Sequence, residues 1–170
     1  MPDPTRTENS GFSGLGSVSV LVPAHNEAGN IGQVIERSLR ALESLGVAGE
    51  VVVVNDGSTD ATQAEALAWA EKSDRVRVFS HRVNLGLTAA LRTGFRQVNG
   101  DVIVFLPGDM ESDPEEDIPP LLGKLSEGYD VVSGWRQGRR GKKVPASRIA
   151  NFVSRLLFGV SVHDMNWIKA

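Results

Sequence analysis

Val51-Val52-Val53-Val54-Asn55-Asp56-Gly57-Ser58-Thr59-Asp60 is the stretch that decides how this chain folds. An unbroken β-branched run that stops in an acidic, glycine-containing turn reads as a strand buried on both faces of a parallel sheet. A second stretch has the same form, with Val102-Ile103-Val104-Phe105-Leu106 breaking into Pro107-Gly108-Asp109. Open parallel sheets bind ligands at the carboxyl ends of their strands. Carboxylates gathered there suit a hard cation, a ribose or the donor groups of a base, and so point to a nucleotide-linked substrate.

Outward from these strands, elements alternate. Val18 to Val22 is a strand stopped by Pro23, which belongs at a strand end or edge because it cannot donate to a ladder. A helix follows with Ile31, Val34, Ile35, Leu39, Leu42 and Leu45 on one face, Gly46 as its C′ residue, and Asn30 with Gln33 as a capping box. Thr59 to Lys72 predicts an Ala-rich helix with Ala64, Leu67 and Ala68 inward. Val76 to Phe79 alternates in polarity, as a strand nearer an edge does. Gly86 to Val98 predicts a helix packing through Leu87, Ala90, Leu91, Phe95 and Val98. Asp113 caps a helix that begins at Pro114 and reaches about Glu127. Tyr129 to Ser133 predicts a fifth strand, Gln137 to Lys143 a basic loop, and Pro145 to Gly159 a last helix with Ile149, Phe152, Val153, Leu156 and Leu157 on one side. The alternation implies right-handed βαβ units in a mostly parallel α/β sandwich. One domain is expected over residues 17–170, after a disordered lead-in (1–16) rich in Gly, Ser, Pro and Thr.

The chain has 170 residues, enough for one full core, and a net charge of -3, which gives no case for nucleic-acid binding. It has no cysteine, so disulfides and thiolate metal sites are excluded and a reducing, cytoplasmic setting is expected. No apolar run approaches the roughly 18 residues that span a bilayer.

The turn after the first strand reads Pro23-Ala24-His25-Asn26-Glu27. A dinucleotide fold would carry Gly-x-Gly-x-x-Gly here, but Gly11, Gly14 and Gly16 precede the strand. The glycine-rich basic loop of a nucleotidyltransferase is missing too. The turn offers instead an amide and a carboxylate able to read a base and ribose; alternatively Asn26 and Glu27 only cap and charge the helix that follows. His25 and His81 read as structural or surface residues, and Trp69 as packing.

Four motifs in order resemble the family 2 inverting glycosyltransferases of the GT-A fold: Pro23…Asn26-Glu27, Asn55-Asp56-Gly57-Ser58-Thr59-Asp60, Asn84-Leu85-Gly86 and Pro107-Gly108-Asp109. The similarity runs from Val18 to the end of the chain and is greatest to the polyprenyl-phosphate sugar transferases, such as dolichol-phosphate mannosyltransferase. It implies a nucleotide pocket of Pro23, Asn26, Glu27, Asn55, Asp56, Gly57, Ser58, Gly86 and Gly108, with Asp56 on the uracil or guanine edge and Glu27 on the ribose. It implies Mg²⁺ or Mn²⁺ on Asp109, the second acidic position of Asp-x-Asp, with Glu111 completing the oxygen shell. Arg136, in Gly134-Trp135-Arg136, and Arg148 would bind phosphates of donor and lipid acceptor, with Arg139, Arg140, Lys142 and Lys143 as further candidates; alternatively these basic residues form a solvated loop, the reading preferred for Arg139 and Arg140. Asp164 falls where the family has an acidic residue near the acceptor.

The resemblance further implies a UDP- or GDP-sugar donor and a lipid-phosphate acceptor at the cytoplasmic face of a membrane. Transfer to a sugar or protein hydroxyl, with Asp164 as base, and a degenerate nucleotide-sugar binding module are the alternatives. Pro107 and Asn55 stand where relatives have Asp, and Leu87 and Thr88 where many have Lys. The chain is expected to be incomplete on its C-terminal, acceptor side.

Overall fold

The computed structural model describes residue 12 and residues 14–134. Eight elements alternate: β1 (Val18–Ala24), α1 (Ile31–Ser44), β2 (Gly49–Asp56), α2 (Thr62–Lys72), β3 (Val76–His81), α3 (Leu87–Phe95), β4 (Val102–Phe105) and α4 (Pro114–Ser126). The strands form one parallel sheet in the order β3-β2-β1-β4. β1 to β3 therefore step outward in one direction, and the chain then crosses back to lay β4 on the other side of β1. The direction reverses between β1 and β4, and at such a switch point parallel sheets open a binding crevice.

The valine run is central for the reason its sequence implies. Val51 to Val54 are all fully buried. Val20, Val22, Val51 and Val53 face a core shared with α1 and α4, whereas Leu21, Val52 and Val54 face the side on which Ala90 of α3 packs. Side-chain alternation along a strand thus serves two apolar layers at once. Pro23 sits inside β1, paired with Val54, yet β4 pairing has already ended at Leu21↔Phe105. The carbonyl of Leu21 points to β4, where Leu106 N–H donates to it at 3.1 Å, so the nitrogen of Pro23 faces the side that β4 has left.

Several local expectations are corrected. β4 is the outer strand among the described residues, so Val102, Ile103 and Phe105 are only half-buried while Val104 and Leu106 are buried. Asn30 makes no side-chain cap, because its own backbone is helical; its amide donates to Glu27, and that of Gln33 to the Gly29 carbonyl at 2.8 Å. α2 begins three residues later than expected and buries Thr62 and Ala66, leaving Ala64 and Leu67 exposed. Leu87 and Phe95 of α3 are exposed as well, at 56% and 54%. Tyr129 to Ser133 forms no strand, since no neighbouring strand among the described residues takes its backbone groups, and Val131 is 75% exposed. Asp113 caps α4 as expected, accepting from Glu115 N–H at 3.1 Å. Phe12 and Leu15, assigned to the lead-in, pack partly buried against the core.

Candidate functional site

The turns after β1 and β2 are knitted together residue by residue. His25 Nδ1 donates to the Asp56 carbonyl at 2.8 Å, and Asn26 N–H donates to Ser58 Oγ at 3.0 Å. The Asn26 side-chain oxygen accepts from Thr59 N–H at 2.9 Å. Glu27 N–H donates to Thr62 Oγ1 at 2.7 Å, and Ala28 N–H to Asp60 at 3.1 Å. Asn26 needs a left-handed backbone (φ 57) to do this, a conformation that asparagine tolerates better than most residues. The choice of Asn, Ser, Thr and Asp in these turns follows from this lattice. Asp60 also accepts from the Thr62 hydroxyl and N–H, which hold its carboxyl below the ordinary carboxylate range.

Asn55 is buried and turned inward, its oxygen accepting from Ser58 N–H at 3.2 Å and its amide donating to Gln63 and Ser80. An aspartate here could still accept from the Ser80 hydroxyl but would face the Gln63 side-chain oxygen with a second acceptor, so the amide suits the Gln63 contact. Gly57 has φ +63, and a methyl group on it would stand 2.2 Å from the Val83 carbonyl carbon and 2.4 Å from Asn84 N. The β2 turn therefore rests directly on the loop that carries Asn84-Leu85-Gly86.

Asp56 accepts three hydrogen bonds from the β3 end and the loop before α3. Its Oδ1 accepts from His81 Nδ1 at 2.7 Å and Leu85 N–H at 2.9 Å, and its Oδ2 from Gly86 N–H at 2.7 Å. Burial pushes this carboxyl up, but the donors Leu85, His81 and Gly86 together outweigh it and hold the group below its ordinary value. Both histidines read as structural or surface residues thus bracket Asp56, His25 through the carbonyl and His81 through the carboxylate. The signal for His81 lay in register: β2 and β3 pair so that Asp56 and His81 are direct partners.

On the other side of β1, Gly108 packs with its Cα near the Pro23 carbonyl, where an added Cβ would sit 3.2 Å away. Asp109 follows, half-buried, with Oδ1 accepting from Glu111 N–H at 2.9 Å, and Met110 between them has a left-handed φ of 56. Glu27 is also half-buried, with Oε2 accepting from Asn30. Because β2 and β4 flank β1, their ends stand about 10 Å apart, two strand spacings. Glu27, Asp56 and Asp109 thus occupy three adjacent strand ends on one edge. Arg136, Arg139, Arg140, Lys142, Lys143, Arg148, Asp164 and the helix over 145–159 lie outside the described residues.

Among the described residues no cluster of three or more His, Cys, Asp or Glu side chains has metal-holding geometry. Asp109 and Glu111 alone therefore make no all-protein cage, and a cation held by them would need its remaining oxygen ligands from a bound diphosphate and water.

A parallel α/β unit with acidic turns meeting at its switch point belongs to the nucleotide-binding class of folds. More particularly, the chain belongs to glycosyl transferase family 2, whose model matches residues 19–166. The undecaprenyl-phosphate 4-deoxy-4-formamido-L-arabinose transferases of Salmonella paratyphi B and Salmonella enteritidis are each 36% identical to it over 151 residues, 86% of this chain and 46% of theirs. The chain thus spans about half the length of these relatives. The glucosyl-3-phosphoglycerate synthase of Mycobacterium tuberculosis, crystallised with Mn²⁺, uridine diphosphate and phosphoglyceric acid, superposes with a TM-score of 0.67 at 28% identity, covering 92% of this chain and 55% of that one. The mannosyl-3-phosphoglycerate synthase of Rubrobacter xylanophilus shares the fold, at TM-score 0.68, 19% identity, and 84% and 48% coverage.

Proposed function

We propose that this chain is the donor-binding part of an inverting glycosyltransferase that moves a sugar from a nucleoside diphosphate to a polyprenyl phosphate. One observation carries the donor half of the reading: the turns bearing Glu27, Asp56 and Asp109 are built onto adjacent strand ends at the switch point. Asp56 receives the base, Glu27 the ribose, and Asp109 with Glu111 the cation side of the diphosphate. The resemblance to undecaprenyl-phosphate transferases supports the acceptor half. A structural neighbour crystallised with Mn²⁺ and UDP supports a divalent metal and a uridine donor. A lipid acceptor would hold the enzyme at a membrane surface, and a nucleotide-sugar donor would favour its cytoplasmic face; no helix among the described residues is long and apolar enough to cross a membrane.

Displacement is in line. An acceptor phosphate oxygen forms its bond to the sugar C1 as the C1–oxygen bond to the diphosphate breaks, and the nucleoside diphosphate departs with the electron pair. The acceptor is already an anion, so no base is required, and Asp164 would matter only for a hydroxyl acceptor. Asp109 and Glu111 would hold a divalent cation, which would supply charge neutralisation for the leaving diphosphate. Arg136 and Arg148 are proposed to share that task.

The test is transfer of radiolabel from UDP- and GDP-sugars to polyprenyl phosphate with Mg²⁺ or Mn²⁺. Labelled lipid is expected; its absence with every common donor, in the full-length protein, rejects the acceptor assignment. Pro107 supports a second reading, a binding module without turnover, for which calorimetry would show nucleotide binding indifferent to metal and no donor hydrolysis.

A further inference from the structure

We propose that His81, seated on Thr93, is a positioning residue that leaves Asp56 a single open acceptor position and so sets the choice of base. The proposal rests on the donor-site reading above. An ionised carboxylate offers about four lone-pair positions. His81 Nδ1 and Leu85 N–H fill both of those on Oδ1, and Gly86 N–H fills one on Oδ2. One remains, on Oδ2. A carboxylate cannot donate, so His81 Nδ1 carries the proton, and in the neutral ring Nε2 is left to accept from the Thr93 hydroxyl at 2.8 Å. Thr93 lies on α3 and His81 at the end of β3, so the imidazole ties the carboxylate to a helix of the scaffold and fixes its rotation. Its side chain is 12% exposed and that of Asp56 5%.

The count of open positions discriminates between bases. Uracil presents one N–H, flanked by carbonyl oxygens, and one acceptor satisfies it. Guanine presents a ring N–H beside an amino group, two donors that pair with two carboxylate oxygens at once. With Oδ1 occupied, the second guanine donor is left unpaired against the protein, and an unpaired buried donor is costly. His81 therefore favours uridine diphosphate over guanosine diphosphate.

The experiment titrates UDP and GDP, each with Mn²⁺, calorimetrically into the full chain as wild type, His81→Leu, His81→Asn and Thr93→Val, with a thermal melt of each. The wild type is expected to bind UDP at least tenfold more tightly than GDP. His81→Leu should lose about tenfold in UDP affinity and narrow the UDP-to-GDP ratio. His81→Asn, whose amide stands near the place of Nδ1, should restore most of that ratio, and Thr93→Val should fall between. If His81→Leu does not fold, Thr93→Val against wild type carries the comparison. An unchanged ratio in variants whose melting temperature alone falls would reduce His81 to a structural role and overturn the proposal, as would a wild type preferring GDP. A wild type that binds neither nucleotide refutes the donor-site reading itself, and the base selection with it.

Discussion

Gly57→Ala tests whether the β2 turn and the Asn84-Leu85-Gly86 loop form one unit. Two costs add at this position. A side chain in the left-handed region costs about 1–2 kcal/mol. The new methyl would lie 2.2 Å from the Val83 carbonyl carbon, 2.4 Å from Asn84 N and 2.7 Å from Val83 Cα, all backbone atoms with no flexible end to yield. Overpacking of that kind costs a further 1–3 kcal/mol or so. The sum is about 2–5 kcal/mol, which in a domain of this length lowers Tm by roughly 4–20 °C. Gly29→Ala is the control: φ is +82 there, but nothing lies within 4 Å of the added atom, so only the backbone cost of about 1–2 kcal/mol applies. Urea unfolding of the three proteins measures both. Because Val83 and Asn84 must shift, Gly57→Ala should also disturb the Leu85 and Gly86 donors to Asp56 and weaken UDP binding, which Gly29→Ala should leave alone. Equal destabilisation by the two substitutions would refute the close approach of the two turns.

Three further outcomes follow from the same geometry. Glu50 lies at the amino edge, accepting from Ser19, Asn99 N–H and Arg77, and Glu50→Gln should cost roughly 1–3 kcal/mol in urea unfolding while leaving nucleotide affinity unchanged. Gly123, inside α4 with nothing within 4 Å of an added Cβ, should give a Gly123→Ala variant more stable by about 0.5–1 kcal/mol in the same assay. For pH, burial pushes the carboxyls of Asp56 and Glu50 up, but their hydrogen bonds (and the Arg77 charge at Glu50) outweigh it and hold both below their ordinary values. A depressed folded value stabilises above the unfolded carboxylate pKa of about 4 and loses that stability as pH falls through the folded value. Melting temperatures from pH 7 down to 2 should therefore hold to about pH 5 and then decline, less steeply in Glu50→Gln.

Apolar periodicity carried most of the scaffold. The runs at Val18, Val51 and Val102 became parallel strands, and the α1 stripe of Ile31, Val34, Ile35 and Leu42 is buried. It failed where hydrogen bonding, and not apolar contact, chose the inward face. Thr62 is buried on α2 because its hydroxyl links Glu27 N–H to Asp60, a contact between elements that no helical period encodes. It failed again at Leu87 and Phe95, whose spacing is helical although the packed line of α3 runs through Ala90 and Gly94. The acidic turns were legible as turns, but their division of labour was not. Asn55 and Asp60 are tied within the β1 and β2 turns and the start of α2, whereas Asp56 is tied to the Leu85-Gly86 loop and to a histidine that pairing register places beside it.

The most direct test is a crystal structure of the chain soaked with UDP and Mn²⁺. The account predicts uracil N3 about 3 Å from Asp56 Oδ2 and the metal about 2.2 Å from an Asp109 oxygen, with the diphosphate between the ends of β1 and β4. Nucleotide seated elsewhere, such as the cavity of about 180 Å³ at the opposite edge beside Glu50 and Asn99, or metal away from Asp109, would contradict it.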